Sequence, residues 1–340
     1  MREYVIIGQG LAGSVLAYRL IEAGCRVRVI DPDLLHTSSK VAAGMIDPLA
    51  GQRYLLAWQA DRFLPEAVSF YQSLEKKFQT RFFFPIPMIR FFSSPQDVRL
   101  WQQKRHQTQI CPYFGACVPP FWNRFTVPDG GVEVLATGYL DTRRFLAAMK
   151  AYLIEKKSYV QDHINPHSFD LSRAGLTIFC EGHAAKDNPF FRHLPFQNVK
   201  GDILTIRCDS LIDAHILHKG KFMLPIGEGM FRVAPTYIRG FIDDRPTAEG
   251  RQELKAFLYQ FMPWLFYEVK AHQAGIRPAL QTNRPVLGLH PHYPHIGIFN
   301  GLGSRGVMMA PCFSRVWTDF LLAGIPIPKE VDVAQFSVVG

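Results

Sequence analysis

The run Tyr4-Val-Ile-Ile-Gly8-Gln-Gly10-Leu-Ala-Gly13 constrains this chain more than any other. An apolar strand enters a G-x-G-x-x-G turn, and Val15, Leu16, Ala17, Leu20 and Ile21 follow at helical spacing. Gly24 stands where a helix ends, and Arg26-Val-Arg-Val-Ile30 reads as a second strand closing on Asp31. Strand, glycines, helix, strand and acid together are a dinucleotide fingerprint. Gly8 allows the tight turn, Gly10 lets the backbone approach a pyrophosphate, and Gly13 lets helix and strand pack closely. The helix N-terminus then faces the phosphates, and Asp31 is placed to accept hydrogen bonds from a ribose. The motif alone does not separate NAD from FAD.

A chain of 340 residues has length for about two domains, and its 48% hydrophobic and 20% charged residues are globular usage. No apolar run approaches the roughly 20 residues of a membrane span. The opening apolar run is short and reads as strand rather than signal peptide. Six cysteines without a C-x-x-C spacing argue against a disulfide framework or zinc site and suit a reducing cytoplasm. The net charge of +9 is spread along the chain without a basic run, so it marks either a generally basic protein or attraction for polyanions.

Further along, residues 60–77 read as an amphipathic helix, and Arg81 to about Gly131 reads as strands rich in aromatics and prolines. A helix is expected from Phe145 to Ile154, a strand over Gly175–Cys180, β structure over 199–237 and a helix from Thr247 to about Phe261. The last block carries Gly275-Ile-Arg-Pro278, the strand Ile296–Phe299, Gly301-Leu-Gly-Ser-Arg-Gly306 and a helix to about Leu322. With a strand–glycine–helix unit at each end, the expected class is α/β: a Rossmann-like dinucleotide domain with an inserted antiparallel, β-rich (α+β) substrate domain. The expected limits are 1–75, 137–198 and 273–340 for the first, and 76–136 and 199–272 for the second.

These segments, in this order, resemble the D-amino acid oxidase-like FAD-dependent oxidoreductases over essentially the whole chain. The family includes glycine oxidase, sarcosine oxidase and the oxidase half of a tRNA-modifying protein. The likeness rests on the fingerprint, Ser39-Lys-Val-Ala-Ala-Gly44, Gly138-Tyr-Leu-Asp, Cys180-Glu-Gly, Lys200-Gly-Asp, Gly275-Ile-Arg-Pro and Gly301–Gly306.

The resemblance implies an extended FAD. Its pyrophosphate would lie over Gly8, Gly10, Leu11, Ala12 and Gly13, with the ribose on Asp31 and further contacts from Ser39, Lys40, Glu181 and Gly182. The flavin would lie between Ala42, Ala43, Gly44 and Met45 on one side and Gly301, Gly303, Ser304, Arg305, Gly306 and Val307 on the other. A helix N-terminus after Gly306 suits the charge of reduced flavin. Arg277 matches the arginine that holds a substrate carboxylate, with a structural ion pair at a strand end as the alternative. Tyr237 is a second substrate-contacting candidate. With no cysteine between Cys208 and Cys312, FAD is expected to be non-covalent. His290, His292 and His295 are expected in an exposed loop rather than a metal site.

Three functions fit this pattern. The first is oxidation of the C–N bond of a small amine or amino acid; the second is oxidation of a modified wobble uridine in tRNA; the third is a non-catalytic flavoprotein.

Overall fold

The computed structural model describes residues 3–51, 53–122, 125–168, 175–211, 214–241 and 243–336. The expected outer domain limits at residues 1 and 340 therefore lie outside the described residues. Six strands form the central sheet in the order Tyr159–Gln161, Arg26–Asp31, Glu3–Ile7, Leu176–Phe179, Ile296–Asn300 and Val286–Leu289. All pairs are parallel except the last. Strands covered on both faces are buried along almost all of their length, as Glu3–Ile7, Leu176–Phe179 and Ile296–Asn300 are, whereas Arg26–Asp31 nearer the edge alternates exposed and buried residues. One face carries the helices Leu11–Glu22, Ala60–Phe78, Thr142–Glu155 and Gly306–Ala323, whose buried residues share one core with Tyr4, Ile6 and Val29. The other packs Val5, Ile7 and Phe179 on Phe191, Leu194 and Leu280.

A second sheet of eight strands draws on Met88–Phe91, Phe114–Val118, Gly131–Val134 and five strands between Val199 and Arg277. Its pairing is antiparallel except where Ile216–Lys219 runs parallel to Met88–Phe91. Helix Ala248–Phe261 covers one face through Leu254, Leu258 and Phe261. The opposite face presents Ile203, Phe222, Leu224 and Ala234 to Val41, Ala43 and Tyr54. That second contact brings the sheet against the expected flavin-binding segment.

Several expectations need correction. The first helix begins at Leu11, inside the glycine turn, ahead of the apolar spacing that starts at Val15. Within the stretch read as strands, Pro95–Lys104 is a helix, capped by the Ser94 hydroxyl accepting from Asp97 N. The strand ending at Arg277 begins at Glu268 and pairs along its length with Val199–Arg207, so it runs through the expected domain limit at 273. Tyr237 lies beyond the end of strand Met230–Ala234 rather than on a strand.

Candidate active site

The fingerprint folds into a tight cradle. A Cβ on Gly13 would stand 2.0 Å from the Gly8 carbonyl oxygen, so only glycine lets the helix start that close to the strand. Gly8 has a φ of +105°, in the region that glycine enters without steric cost. The Ser39 hydroxyl accepts from Leu11 N (3.1 Å), tying the following segment to the helix N-terminus, where backbone donors lack intrahelical partners. The Asp31 carboxylate accepts from Gln9 N and Asp33 N, both at 2.7 Å. Each oxygen keeps a free lone pair for a ribose hydroxyl. Lys40, expected at the cofactor, instead donates to Asp33 (2.9 Å) and the Leu34 carbonyl (2.7 Å).

Glu181 and Gly182 follow strand Leu176–Phe179, and Gly301–Val307 follow strand Ile296–Asn300, at the carboxyl ends of the central sheet, where ligands bind in sheets of this kind. The Gly182 carbonyl accepts from Asn300 Nδ2 (2.9 Å), and Gly303 N donates to the Pro278 carbonyl (2.9 Å). This second bond joins the Arg-Pro motif to the last glycine turn. Gly44 packs so closely on strand Gly138–Leu140 that a Cβ would lie 1.9 Å from the Leu140 oxygen. Helix Gly306–Ala323 starts without a side-chain cap, and the Val307 carbonyl accepts from Tyr71 Oη (2.8 Å). Met45 is half-buried and Ser304 exposed. Arg305 donates to the carbonyls of Asp47 (3.0 Å) and Leu49 (3.1 Å) and so holds a loop.

Glu181 follows the third parallel strand and sits beside the glycine turn: a Cβ on Gly8 would lie 3.6 Å from its backbone nitrogen. Asn188 Nδ2 donates to its Oε2 at 2.7 Å, and burial pushes its carboxyl up to about 7.

Arg277 lies across Gly201, where a Cβ would come within 2.3 Å of the guanidinium. It donates to the Thr236 carbonyl (3.4 Å) and sits 5.1 Å from the centre of the Tyr237 ring. Burial draws its pKa down, and among the described residues no carboxylate forms an ion pair with it. The ordinary ion-pair reading of this arginine therefore has no support here. Tyr237 itself is 69% exposed.

Two arginines on the same sheet face escaped the sequence reading. Arg232, largely buried, donates to the Ala42 carbonyl (2.9 Å), and Arg90 packs 3.9 Å above the Tyr54 ring. The one hint was Arg232 between Phe231 and Val233 in an otherwise apolar strand. Of the three late histidines, His290 is buried against Phe191, His193 and Tyr293 rather than exposed, because it closes the end of strand Val286–Leu289. His292 is exposed and His295 half-buried.

Fold and site together define an oxidoreductase with a dinucleotide cradle on the parallel sheet and a facing second sheet that carries Arg90, Arg232 and Arg277. A family model described as FAD dependent oxidoreductase (DAO) matches residues 3–319, and the chain belongs to that family. It is similar to glycine oxidase of Pseudomonas putida, 22% identical over 100% of this chain and 99% of the relative. It is 21% identical to the bifunctional tRNA 5-methylaminomethyl-2-thiouridine biosynthesis protein MnmC of Marinobacter nauticus, over 93% of this chain and 54% of that protein. Among solved structures it is similar to iminodiacetate oxidase of Chelativorans sp. BNC1 (TM-score 0.78, 19% identity, 98% of each chain). Glycine oxidase of Geobacillus kaustophilus is comparable (TM-score 0.77, 17% identity, 100% of this chain and 99% of that one). The cradle at Gly8–Gly13, the open lone pairs of Asp31 and the uncapped start of helix Gly306–Ala323 fit the FAD that the family requires. Among the described residues no helix is long and apolar enough to cross a membrane.

Proposed function

We propose that this protein oxidises the C–N bond of a small amine bearing a carboxylate, with non-covalently bound FAD. The observation that carries the reading is Arg277: a half-buried guanidinium without an acid partner among the described residues, seated on Gly201, with the following Pro278 carbonyl bonded to Gly303 of the last glycine turn. A partly desolvated cation without an anion is costly, and a substrate carboxylate would supply the missing charge through a bidentate pair. The substrates named for glycine oxidase and iminodiacetate oxidase, to which the chain is similar, are amines of this type.

Gly8, Gly10, Leu11, Ala12, Gly13, Asp31 and Ser39 would hold the dinucleotide. Ala42–Met45 and Gly301–Val307 would flank the flavin. Bound FAD would supply the two-electron acceptor. The chain's task is then orientation: Arg277 fixes the carboxylate, Tyr237 covers it from the outside, and the apolar wall of Ile203, Phe222 and Leu224 limits water. Such a reaction requires alignment more than a general base, provided the amine arrives neutral.

Anaerobic titration of the flavin-loaded protein with glycine, sarcosine, D-amino acids and hypomodified tRNA tests the reading. Bleaching of the visible flavin spectrum by a small amine acid is expected. Bleaching by tRNA alone would favour the wobble-uridine function, in line with the MnmC similarity. Arg277→Lys should raise KM for a carboxylate substrate by at least about tenfold, the cost of a lost bidentate hydrogen bond, at unchanged flavin content. An unchanged KM removes Arg277 from the assigned role.

A further inference from the structure

The peptide between Ala42 and Ala43, in the segment expected to flank the flavin, is bonded at one end only. Its carbonyl oxygen accepts from Arg232 Nη1 (2.9 Å) and from Thr142 Oγ1 (3.4 Å). Ala43 is buried, yet its N–H has no acceptor among the described residues. Buried backbone donors are almost always paired, so this one is available to a bound ligand.

The frame around that peptide is fixed from both sides. Ala42 N donates to the Ser38 carbonyl (2.9 Å), closing the Ser38–Val41 turn, and Leu140 N donates to the Gly44 carbonyl (3.0 Å). Arg232 reaches it from the second sheet, where it lies between Leu224 and Thr205 on the neighbouring strands. The charged side chains facing Arg232 are Asp141 and Arg143, with the Tyr139 phenol beside them. Asp141 is engaged by Arg144 (3.3 Å), and among the described residues no carboxylate forms an ion pair with Arg232. Its charge is directed at a neutral carbonyl instead. Such a bond is stronger than one between neutral partners, and electron density drawn onto the carbonyl oxygen makes the N–H of the same peptide a better donor.

We propose that Arg232 is a positioning residue that raises the reduction potential of the bound flavin, acting through the Ala42–Ala43 peptide. A strong, fixed N–H donor favours the reduced flavin, which carries the extra negative charge, over the neutral oxidised one. The proposal rests on the FAD reading above. It concerns electron acceptance, while carboxylate binding stays with Arg277.

Equilibrium reduction of the FAD-loaded protein against a reference dye measures this potential without amine substrate or turnover. Arg232→Met keeps the apolar stem and removes the charge. Its preference for reduced over oxidised flavin should fall about tenfold or more, which for a two-electron couple is about 30 mV or more to lower potential. Arg232→Lys keeps a charged donor and should recover most of that shift, a rescue that a role in packing alone would not produce. Thr142→Val removes only the second donor to the same carbonyl and should lower the potential by less; it decides the matter if Arg232→Met retains no flavin. An unchanged potential in the deciding variant, or an Arg232→Lys potential no nearer to wild type than that of Arg232→Met, overturns the proposal while leaving the FAD reading intact. Wild-type protein that binds no FAD would overturn the FAD reading itself.

Discussion

At the scale of single residues, the site depends on atoms that are missing as much as on those present. Gly13 is the clearest case, since the obstacle to a side chain there is backbone, which cannot rotate away. Gly13→Ala should yield protein that purifies without flavin, read from its visible-to-ultraviolet absorbance ratio, and is expected to lose roughly 1–3 kcal/mol of stability to overpacking. Gly201 gives Arg277 its seat by the same logic. Both glycines were visible in the sequence, but their reasons were unequal. The role of Gly13 follows from a local turn. That of Gly201 depends on a strand more than 60 residues away in the chain, paired so that Gly201 faces Gly275.

At the scale of elements, the loop bearing Tyr237 is held from beneath by Asp202. This carboxylate has no solvent exposure and accepts from Thr247 N (3.1 Å), Thr247 Oγ1 (3.0 Å) and Thr236 Oγ1 (3.4 Å), with His272 Nε2 at 3.2 Å. It thereby anchors the start of helix Ala248–Phe261, and the next carbonyl along, that of Thr236, accepts from Arg277. Asp202→Ala should lower stability by about 3 kcal/mol in denaturant unfolding, because several buried donors lose their acceptor. Thr247→Ala should cost only about 1 kcal/mol, the worth of a helix cap. The Thr247 helix start was legible from its sequence. The Ser94 start carried a comparable signal, Ser94-Pro95 followed by Asp97, but the helix buries only Trp101, so no apolar stripe announced it.

At the scale of the whole molecule, folding and pH are linked through side chains that burial keeps neutral. His218 Nδ1 is buried without a partner among the described residues, and burial together with nearby Arg90 pushes the imidazole down to about 3. The unfolded chain takes up this proton near pH 6.5 and the folded one does not, so stability is present above that pH and is lost as pH falls. The loss from this residue reaches roughly 2 kcal/mol at pH 5. The difference in thermal midpoint between His218→Gln and wild type should therefore move in the variant's favour as pH falls from 7 to 5. Glu181 acts with the opposite sign: its raised pKa removes stability from the flavin-free protein as pH rises through about 7.

By itself the sequence determined the fold class and singled out the Gly8–Gly13 turn, Asp31, the Gly301–Gly306 turn and Arg277 as the candidates for cofactor and substrate. Each is a short pattern whose chemistry and backbone geometry are complete within a dozen residues. Only the tertiary structure decided which charges are left unpartnered. Among the described residues Arg277 lacks an acid, Arg305 and Lys40 are occupied, Arg232 reaches Ala42, and the half-buried Glu181 accepts from Asn188. The physical reason is that ionisation and hydrogen-bond partnership are set by burial and by neighbours from distant parts of the chain, which no local pattern encodes.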